Sequence, residues 1–389
     1  MVTLAAVSSK IVLWGATGYT GTRVAEALVA RGAEPVLAGR DHERLATLGA
    51  TLGGLPTRVA DVGDPQSLET LLGAGDVLVS TVGPFSEVGG AAVGAAVAQG
   101  AVYLDSAGEP AFVRRVFDEH GPRAERTGAA LLTAFGNDYV PGVLAGALAL
   151  RDARAAGGEP KRVDVGYFVQ REEPTRNEPQ HGTGKGQGFS RGTLRSLAGA
   201  ATAPGYAWRG GTLRAEPAGA RMRTFDVAGR PRHGVTIGGV EQFALPRLEP
   251  GLRVVDVYLG WFGSASGIVH ATSGASALLH RVPALGRAVS GLAGLATGRA
   301  SEAPDPDTLE RTTSSFVAEV FDPAGTLLAR TRLTAPDTYT ITAGLLAWGA
   351  TRAAEHGVRG TGALDPVGAF GLDELTTGAA CAGVVPDTR

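Results

Sequence analysis

Cysteine is almost absent from this 389-residue chain: Cys381 stands alone, so no internal disulfide can form, and a reducing compartment fits. Lysine is nearly as scarce, with Lys10, Lys161 and Lys185 set against 33 arginines and 58 glycines. That bias lowers the weight of any single arginine or glycine as a signal. Charge of one sign is missing too. The formal net charge of −2 gives no reason to expect nucleic acid or an anionic membrane as partner. Apolar runs are short: "GVLAGALAL" (Gly142–Leu150) falls far below a membrane span, and Ser264–Gly298 is broken by His270, His280, Arg281, Pro283 and Arg287. The opening "MVTLAAVSSK" lacks the basic start and apolar core of a signal peptide, so a cytoplasmic location is expected. The seven histidines show no His-x-x-x-His or Cys/His spacing, which predicts no metal site. Neither a P-loop lysine signature nor a G-x-S-x-G nucleophile elbow occurs.

What is present is enough chain for two domains, with 44% hydrophobic and 19% charged residues. Short apolar runs at Ile11–Trp14, Pro35–Ala38, Thr57–Ala60, Val77–Val82, Val102–Asp105 and Leu131–Ala134 read as strands. Helical patterns alternate with them at Tyr19–Arg31, Asp41–Leu48, Asp64–Leu72, Val88–Gln99 and Ala111–Arg126. This rhythm predicts an α/β fold, a Rossmann-type doubly wound parallel sheet. Asp64 is placed as an N-cap with Pro65 at the first helical position, and Asp41 as the cap of the preceding helix.

After "VPGVLAGALAL" the pattern changes. "RVDVGYFVQ" (Arg162–Gln170), "VEQFALPRL" (Val240–Leu248) and "RVVDVYLGWF" (Arg253–Phe262) read as strands. Ser314–Leu333 reads as a hairpin turning at Pro323–Gly325, and Ala300–Glu310 as a surface loop. Successive strands without crossover helices predict a second, α+β domain with a mostly antiparallel sheet. An open face on such a sheet leaves room for a homodimer. Tyr339–Gly357 is a helix ended by Gly357. The expected domains are 1–140, 141–338, and 339–389 as C-terminal helices.

The chemistry begins at "GATGYTG". Gly15 permits a tight turn, Gly18 lets the backbone approach a pyrophosphate, and Gly21 lets the helix pack close to the sheet. Thr17, Tyr19 and Thr20 complete this candidate cofactor turn. At the end of the second strand an NAD site would usually place an acid; this chain has Arg40, whose fork suits a 2′-phosphate. NADP(H) is therefore the expected cofactor. Asp61, ending the third strand, is a further candidate on the adenine side, with capping as its alternative. Thr81, Val82, Gly83, Pro84 and Phe85 follow the fourth strand, so they should border the nicotinamide ribose, with Phe85 as a wall.

These motifs, with "YLDSAGE" (Tyr103–Glu109), "GNDYVPG" (Gly136–Gly142) and "DTYTITA" (Asp337–Ala343) in that order, resemble the saccharopine dehydrogenase-like oxidoreductases, in particular the trans-acting enoyl reductase branch. The resemblance implies an NADP-binding Rossmann domain, a second α+β domain covering the nicotinamide, and C-terminal helices that return to the first domain. It also implies hydride transfer to a C=N or an enoyl C=C bond. Where the branch is expected to carry a phenylalanine-aspartate pair, this chain has Asn137 before Asp138.

Candidates for the chemistry are Asp105, Asn137, Asp138 and Tyr139 at the ends of strands five and six. Tyr103 reads as a core residue. Asp138 has an N-cap as its alternative, and Tyr139 is a candidate acid. The polar, Gly-rich run Arg176–Ser196 carries His181 and Lys185 and reads either as a lid or as a surface loop. Three functions compete: an NADPH-dependent enoyl reductase on a small-molecule or carrier-bound substrate in specialised metabolism, an imine reductase, and a non-catalytic NADP(H) sensor or scaffold. Arg191 and Arg195 would serve an amino-acid substrate, whereas the apolar stretch Val240–Phe262 favours a carbon-rich one.

Overall fold

The structure, a computed structural model, describes residues 9–171, 205–261, 266, 267, 270 and 305–388. Two compact units share the chain. The first takes in the described residues up to Ala107, Phe112–Asp138 and Thr342–Ala382. The second takes in Gly108–Ala111, the described residues between Tyr139 and Ile341, and those from Gly383 onward. Among the described residues no helix is long and apolar enough to cross a membrane.

In the first unit six strands come in the expected order: β1 (Ile11–Trp14), β2 (Val36–Gly39), β3 (Thr57–Val59), β4 (Val77–Ser80), β5 (Val102–Asp105) and β6 (Ala130–Leu132). With the two-residue strand Gly362–Ala363 they form one parallel sheet, ordered Gly362–Ala363, β6, β5, β4, β1, β2, β3. Every residue of β1, β4 and β5 is buried, as strands covered by helices on both faces require. The helices α1 (Tyr19–Ala30), α2 (His42–Thr51), α3 (Pro65–Glu69) and α4 (Phe85–Gln99) make the crossovers. Asp41 caps α2 as expected, accepting from Arg44 N at 3.1 Å. Asp64 stands at the N-cap of α3, but its side chain makes no cap bond; the Ser67 hydroxyl closes that turn on the Asp64 carbonyl.

The helix Thr338–His356 continues into the first unit and ends where Gly357 turns to φ +70°. Its Trp348 ring stacks on Phe135 at 6.3 Å and lies 4.9 Å from Phe370. Gly378 is obligatory beneath it, since a Cβ there would lie 2.0 Å from the indole.

The second unit carries β7 (Arg162–Arg171), β8 (Tyr206–Arg209), β9 (Thr212–Ala215), β10 (Met222–Val227), β11 (Arg230–Ile237), β12 (Val254–Leu259), β13 (Thr312–Phe321) and β14 (Leu327–Ala335). The order is β10-β11-β12-β7-β13-β14, with Val385–Pro386 added outside β14 and the β8–β9 hairpin attached to β12. The hairpin turn at Pro323–Gly325 is as read, with Gly325 N donating to Asp322 O at 3.1 Å.

The sheet is mostly antiparallel, as expected, with one parallel pair, β12 with β7. Two expectations are corrected. Val240–Leu248 is not a strand: Glu241–Leu248 is a helix, opened by the Gly238–Gly239 break, where Gln242 Oε1 accepts from Gly239 N at 2.8 Å. Ala300–Glu310 is not all loop, since Pro306–Glu310 forms a short helix; residues 300–304 lie outside the described residues.

The face expected to be open is covered from within. The sheet curls until β10 lies over β7 and β13, burying Phe168, Phe225, Val227, Tyr258 and Val317 together. On that face the register sets Asp256 and Glu319 on either side of Asp164, a row of three nearly inaccessible carboxylates. Like charges at such spacing repel, so the row depends on arginines. Arg162 and Arg223 pair with Asp164; Arg223 and Arg330 with Glu319; Arg209 and Arg221 with Asp256. Arg223 comes from β10 and reaches both β7 and β13, which ties the curled edge down. Replacing it by methionine is expected to lower unfolding stability by about 3 kcal/mol in urea titrations. A change below about 0.5 kcal/mol, the scale of an ordinary surface substitution, would mean that the row does not hold the hairpin.

Candidate functional site

The site is built at the carboxyl ends of β1, β2, β4, β5 and β6, within the first unit. Leaving β1, the chain bonds back to β2, with Gly15 N and Ala16 N donating to Ala38 O at 2.9 and 3.2 Å. Gly15 adopts φ +87°, and a Cβ there would strike Thr81 Oγ1 and Val82 Cγ2 at 2.7 Å each. Thr81 braces the turn, its hydroxyl 3.2 Å from both Trp14 O and Gly15 O. Gly21 is the tightest position: a Cβ would sit 2.0 Å from Gly15 O, so α1 packs backbone against backbone.

Gly18 differs from both. It is exposed, has ordinary extended dihedrals, and its Cβ would meet only Gly15 O at 3.3 Å. As N-cap of α1 it supplies no side-chain acceptor, and the first turn contains no acid. The start of α1 therefore carries neither a side-chain cap nor a negative charge, as an approaching pyrophosphate requires. Tyr19, Thr20 and Thr17 are partly exposed on this turn, and the Arg23 guanidinium lies 5.0 Å above the Tyr19 ring.

Arg40 is exposed immediately after β2. One residue went unread in the sequence: Arg44, whose Nη2 donates to Thr17 O at 2.8 Å and fastens the glycine turn to α2. A cation in the first turn of a helix opposes the macrodipole, and that misplacement was the available signal. Asp61 is exposed and closes its own turn on Gly63 N at 2.8 Å. Gly83 and Pro84 lead into α4 through a cis peptide bond. Phe85 does not stand out as a wall: it is 5% exposed, with its ring 5.6 Å from Phe112.

Beyond β5 and β6, Asp105 is wholly buried. Its Oδ1 accepts from Ala107 N at 2.8 Å and Ala134 N at 2.6 Å, and its Oδ2 accepts from Thr133 Oγ1 at 2.8 Å. Burial pushes its carboxyl up to about 6, against these hydrogen bonds. Tyr103 is a core residue, as read. Strand β6 stops at Leu132, short of the expected Ala134, because the chain turns there with Ala134 at φ +59°. The turn delivers Asn137, which is buried, and Asp138, which is half-buried. Burial raises the Asp138 carboxyl to about 6, while a hydrogen bond from Asn137 acts the other way. Asp138 is not an N-cap, since the helix Val140–Ala155 starts from Tyr139.

Tyr139 belongs to the second unit and is a buried brace there, its hydroxyl donating to Gly238 O at 3.0 Å and its ring 6.4 Å from Tyr167. His181 and Lys185 lie outside the described residues. Among the described residues no group of three or more His, Cys, Asp or Glu side chains is arranged to hold a metal.

Parallel strands in this order and a glycine turn of this shape at an uncapped helix start define a dinucleotide-binding Rossmann unit. Residues 11–132 match the family model described as the saccharopine dehydrogenase NADP binding domain. NADP(H) is thus the cofactor of the first unit. A trans-acting enoyl reductase of Mycobacterium leprae is 42% identical over 137 residues, covering 34% of this chain and 33% of the relative. One of Mycobacterium tuberculosis is 38% identical over 137 residues, with the same coverage. The matched stretch therefore spans about a third of these curated relatives. Across nearly the whole chain the fold is that of the apo saccharopine dehydrogenase (L-Glu forming) of Saccharomyces cerevisiae, with TM-score 0.61, 15% identity, and coverage of 97% and 99%. The Legionella pneumophila homospermidine synthase in complex with NAD is similar at TM-score 0.60, 10% identity, and coverage of 98% and 92%.

The two glycines should separate in experiment. Gly21→Ala is expected to cost the free protein about 1–3 kcal/mol of unfolding stability by overpacking. Gly18→Ala should leave stability unchanged but weaken NADPH at least about tenfold in a fluorescence titration, the loss expected when about one charge-assisted hydrogen bond is disturbed. Equal NADPH affinity for Gly18→Ala and the wild type would contradict the assignment of its face to the pyrophosphate.

Proposed function

We propose that this chain is an NADPH-dependent reductase that adds hydride and a proton across the conjugated C=C bond of an enoyl substrate, in specialised metabolism. The observation that carries the reading is Asp138: a carboxyl raised to about 6, at the carboxyl edge of a sheet whose first turn is shaped for the dinucleotide. The names of the relatives matched over 137 residues support the enoyl substrate over an imine. The bound cofactor would supply the hydride. The chain's own residues hold and orient: the amides of Tyr19 and its neighbours take the pyrophosphate, and Arg40 meets the 2′-phosphate with Arg44 bracing the turn beside it. Asn137 donates to Asp138, and Asp138 in its protonated form delivers the proton that completes the addition.

A general acid works only while protonated. Activity is therefore present below the Asp138 value of about 6 and declines as pH rises through it. NADPH consumption should be followed against free and carrier-bound enoyl thioesters and against imines formed from amino acids and aldehydes. Enoyl thioesters are expected to be consumed, with kcat/KM falling above pH 6, and Asp138→Asn is expected to lower kcat by about 100-fold. Turnover of imines alone, or an Asp138→Asn enzyme with full activity, would contradict the reading. Tight NADPH binding with no turnover would favour a sensor. For cofactor choice, Arg40→Ala is expected to weaken NADPH by about 10- to 100-fold, as loss of a charge-assisted pair implies, and to leave NADH unaffected. Equal weakening of both would remove the 2′-phosphate role.

A further inference from the structure

Two of the motifs, "YLDSAGE" and "DTYTITA", place no residue in the proposed chemistry, yet both reach the same short turn. We propose that Asp105 and Thr342 are positioning residues that together hold the turn 133–138, with Asp105 serving as a hydrogen-bond acceptor and not as a proton donor. The inference rests on the reading of Asn137 and Asp138 as the reactive edge, and it deepens that reading.

The first anchor fixes the start of the turn. Asp105 takes the amide of Ala134 and the hydroxyl of Thr133 on its two oxygens, while its backbone carbonyl takes the amide of Phe135 at 2.7 Å. Three consecutive residues are thus tied to one. Ala134 is held at φ +59°, a conformation that alanine adopts only when its surroundings impose it. The same Oδ1 also holds Ala107 N, so the loop after β5 and the turn after β6 share one acceptor.

The second anchor fixes the end. Thr342, on the helix Thr338–His356, accepts the Asn137 amide on its hydroxyl at 3.1 Å. Gly136 leaves the room, since a Cβ there would meet Thr342 Cγ2 at 3.0 Å and Oγ1 at 3.1 Å. Phe135, between the anchors, is gripped by Trp348 and by Phe370, the latter at 5.6 Å. With both ends and the middle held, Asn137 and Asp138 have one backbone course to follow.

Chemistry separates an acceptor from a donor of protons. In Asp105→Asn the amide oxygen still accepts from Ala107 N and Ala134 N, and its NH2 donates to Thr133 Oγ1, so the three ties to the two loops are kept. Asp105→Ala leaves two buried amides without an acceptor. Thr342→Ser keeps the hydroxyl, and Thr342→Val removes it at constant shape. The test is hydrogen exchange of the full chain, read on the peptide covering residues 133–138, alongside NADPH affinity and kcat on an enoyl thioester.

Asp105→Asn and Thr342→Ser are expected to keep exchange and kcat within about threefold of wild type, the size of an ordinary conservative change. Asp105→Ala and Thr342→Val should accelerate exchange in that peptide at least about tenfold through local opening, leaving β1 and α1 protected. Their kcat should fall by up to about 100-fold from misplacement of the reactive groups, at unchanged NADPH affinity. An Asp105→Asn enzyme as slow as Asp105→Ala would overturn the proposal, because the carboxyl itself would then be required. Unchanged exchange in Asp105→Ala, or acceleration spread over the whole first unit, would overturn it as well. If no enoyl thioester is reduced even by the wild type, the functional reading fails, while the exchange measurements still decide whether the two anchors hold the turn.

Discussion

The first unit depends on one close approach: the backbone of α1 at Gly21 lies against the carbonyl of Gly15 with no space for even a methyl group. That contact brings the start of the helix to the end of β1, and from there the remaining geometry follows. Gly18 stands exposed at the uncapped start of α1, Thr81 and Val82 close the other side of the turn, and Arg44 ties its far edge to α2. A binding surface for a dianion is produced mainly by backbone, so its signature in the sequence is what is missing at three positions.

The turn proposed as the reactive edge is built on the opposite plan, by side chains holding backbone. Asp105 and Thr342 are neither near each other in the chain nor near the turn they hold; the bonds span 29 and 205 residues. Their work is local geometry, and burial is what gives it force. A buried amide without an acceptor is costly, so a single carboxylate that gathers two of them determines the course of the chain. The same burial lifts the Asp105 and Asp138 carboxyls to about 6, yet their surroundings separate them: Asp105 is fully enclosed by donors, while Asp138 retains partial exposure and one amide neighbour. Environment, not residue type, divides the two roles.

Much of this was legible in the sequence. Periodicity and turn residues marked six of the seven strands of the first sheet, all but Gly362–Ala363, and the three glycines with Arg40 pointed to the cofactor. The Pro323–Gly325 hairpin was equally plain, because its signal is local. Three kinds of feature escaped. Val240–Leu248 carries an apolar run that fits strand or helix alike; it folds as the helix Glu241–Leu248, with Gln242 Oε1 accepting from Gly239 N just ahead of it. The parallel pairing of β12 with β7 joins segments some 90 residues apart, and the carboxylate row that the register creates reaches further still, from Asp164 to Glu319. Tyr139 and Phe85 read as site residues from their positions, but packing against Gly238 and Phe112 turns them inward. Long-range burial is what a one-dimensional pattern fails to carry.

The central claim is that the first unit presents NADPH to a reducible double bond. It is tested most directly by supplying NADPH deuterated at the nicotinamide C4, on each face in turn, with an enoyl thioester, and locating the label by mass spectrometry. The account predicts that one of the two labelled forms transfers its deuterium to a carbon of the former C=C bond, with the second hydrogen coming from solvent. A reduced product with no deuterium from either form, or label found only on the carbon of a reduced C=N bond, would contradict it.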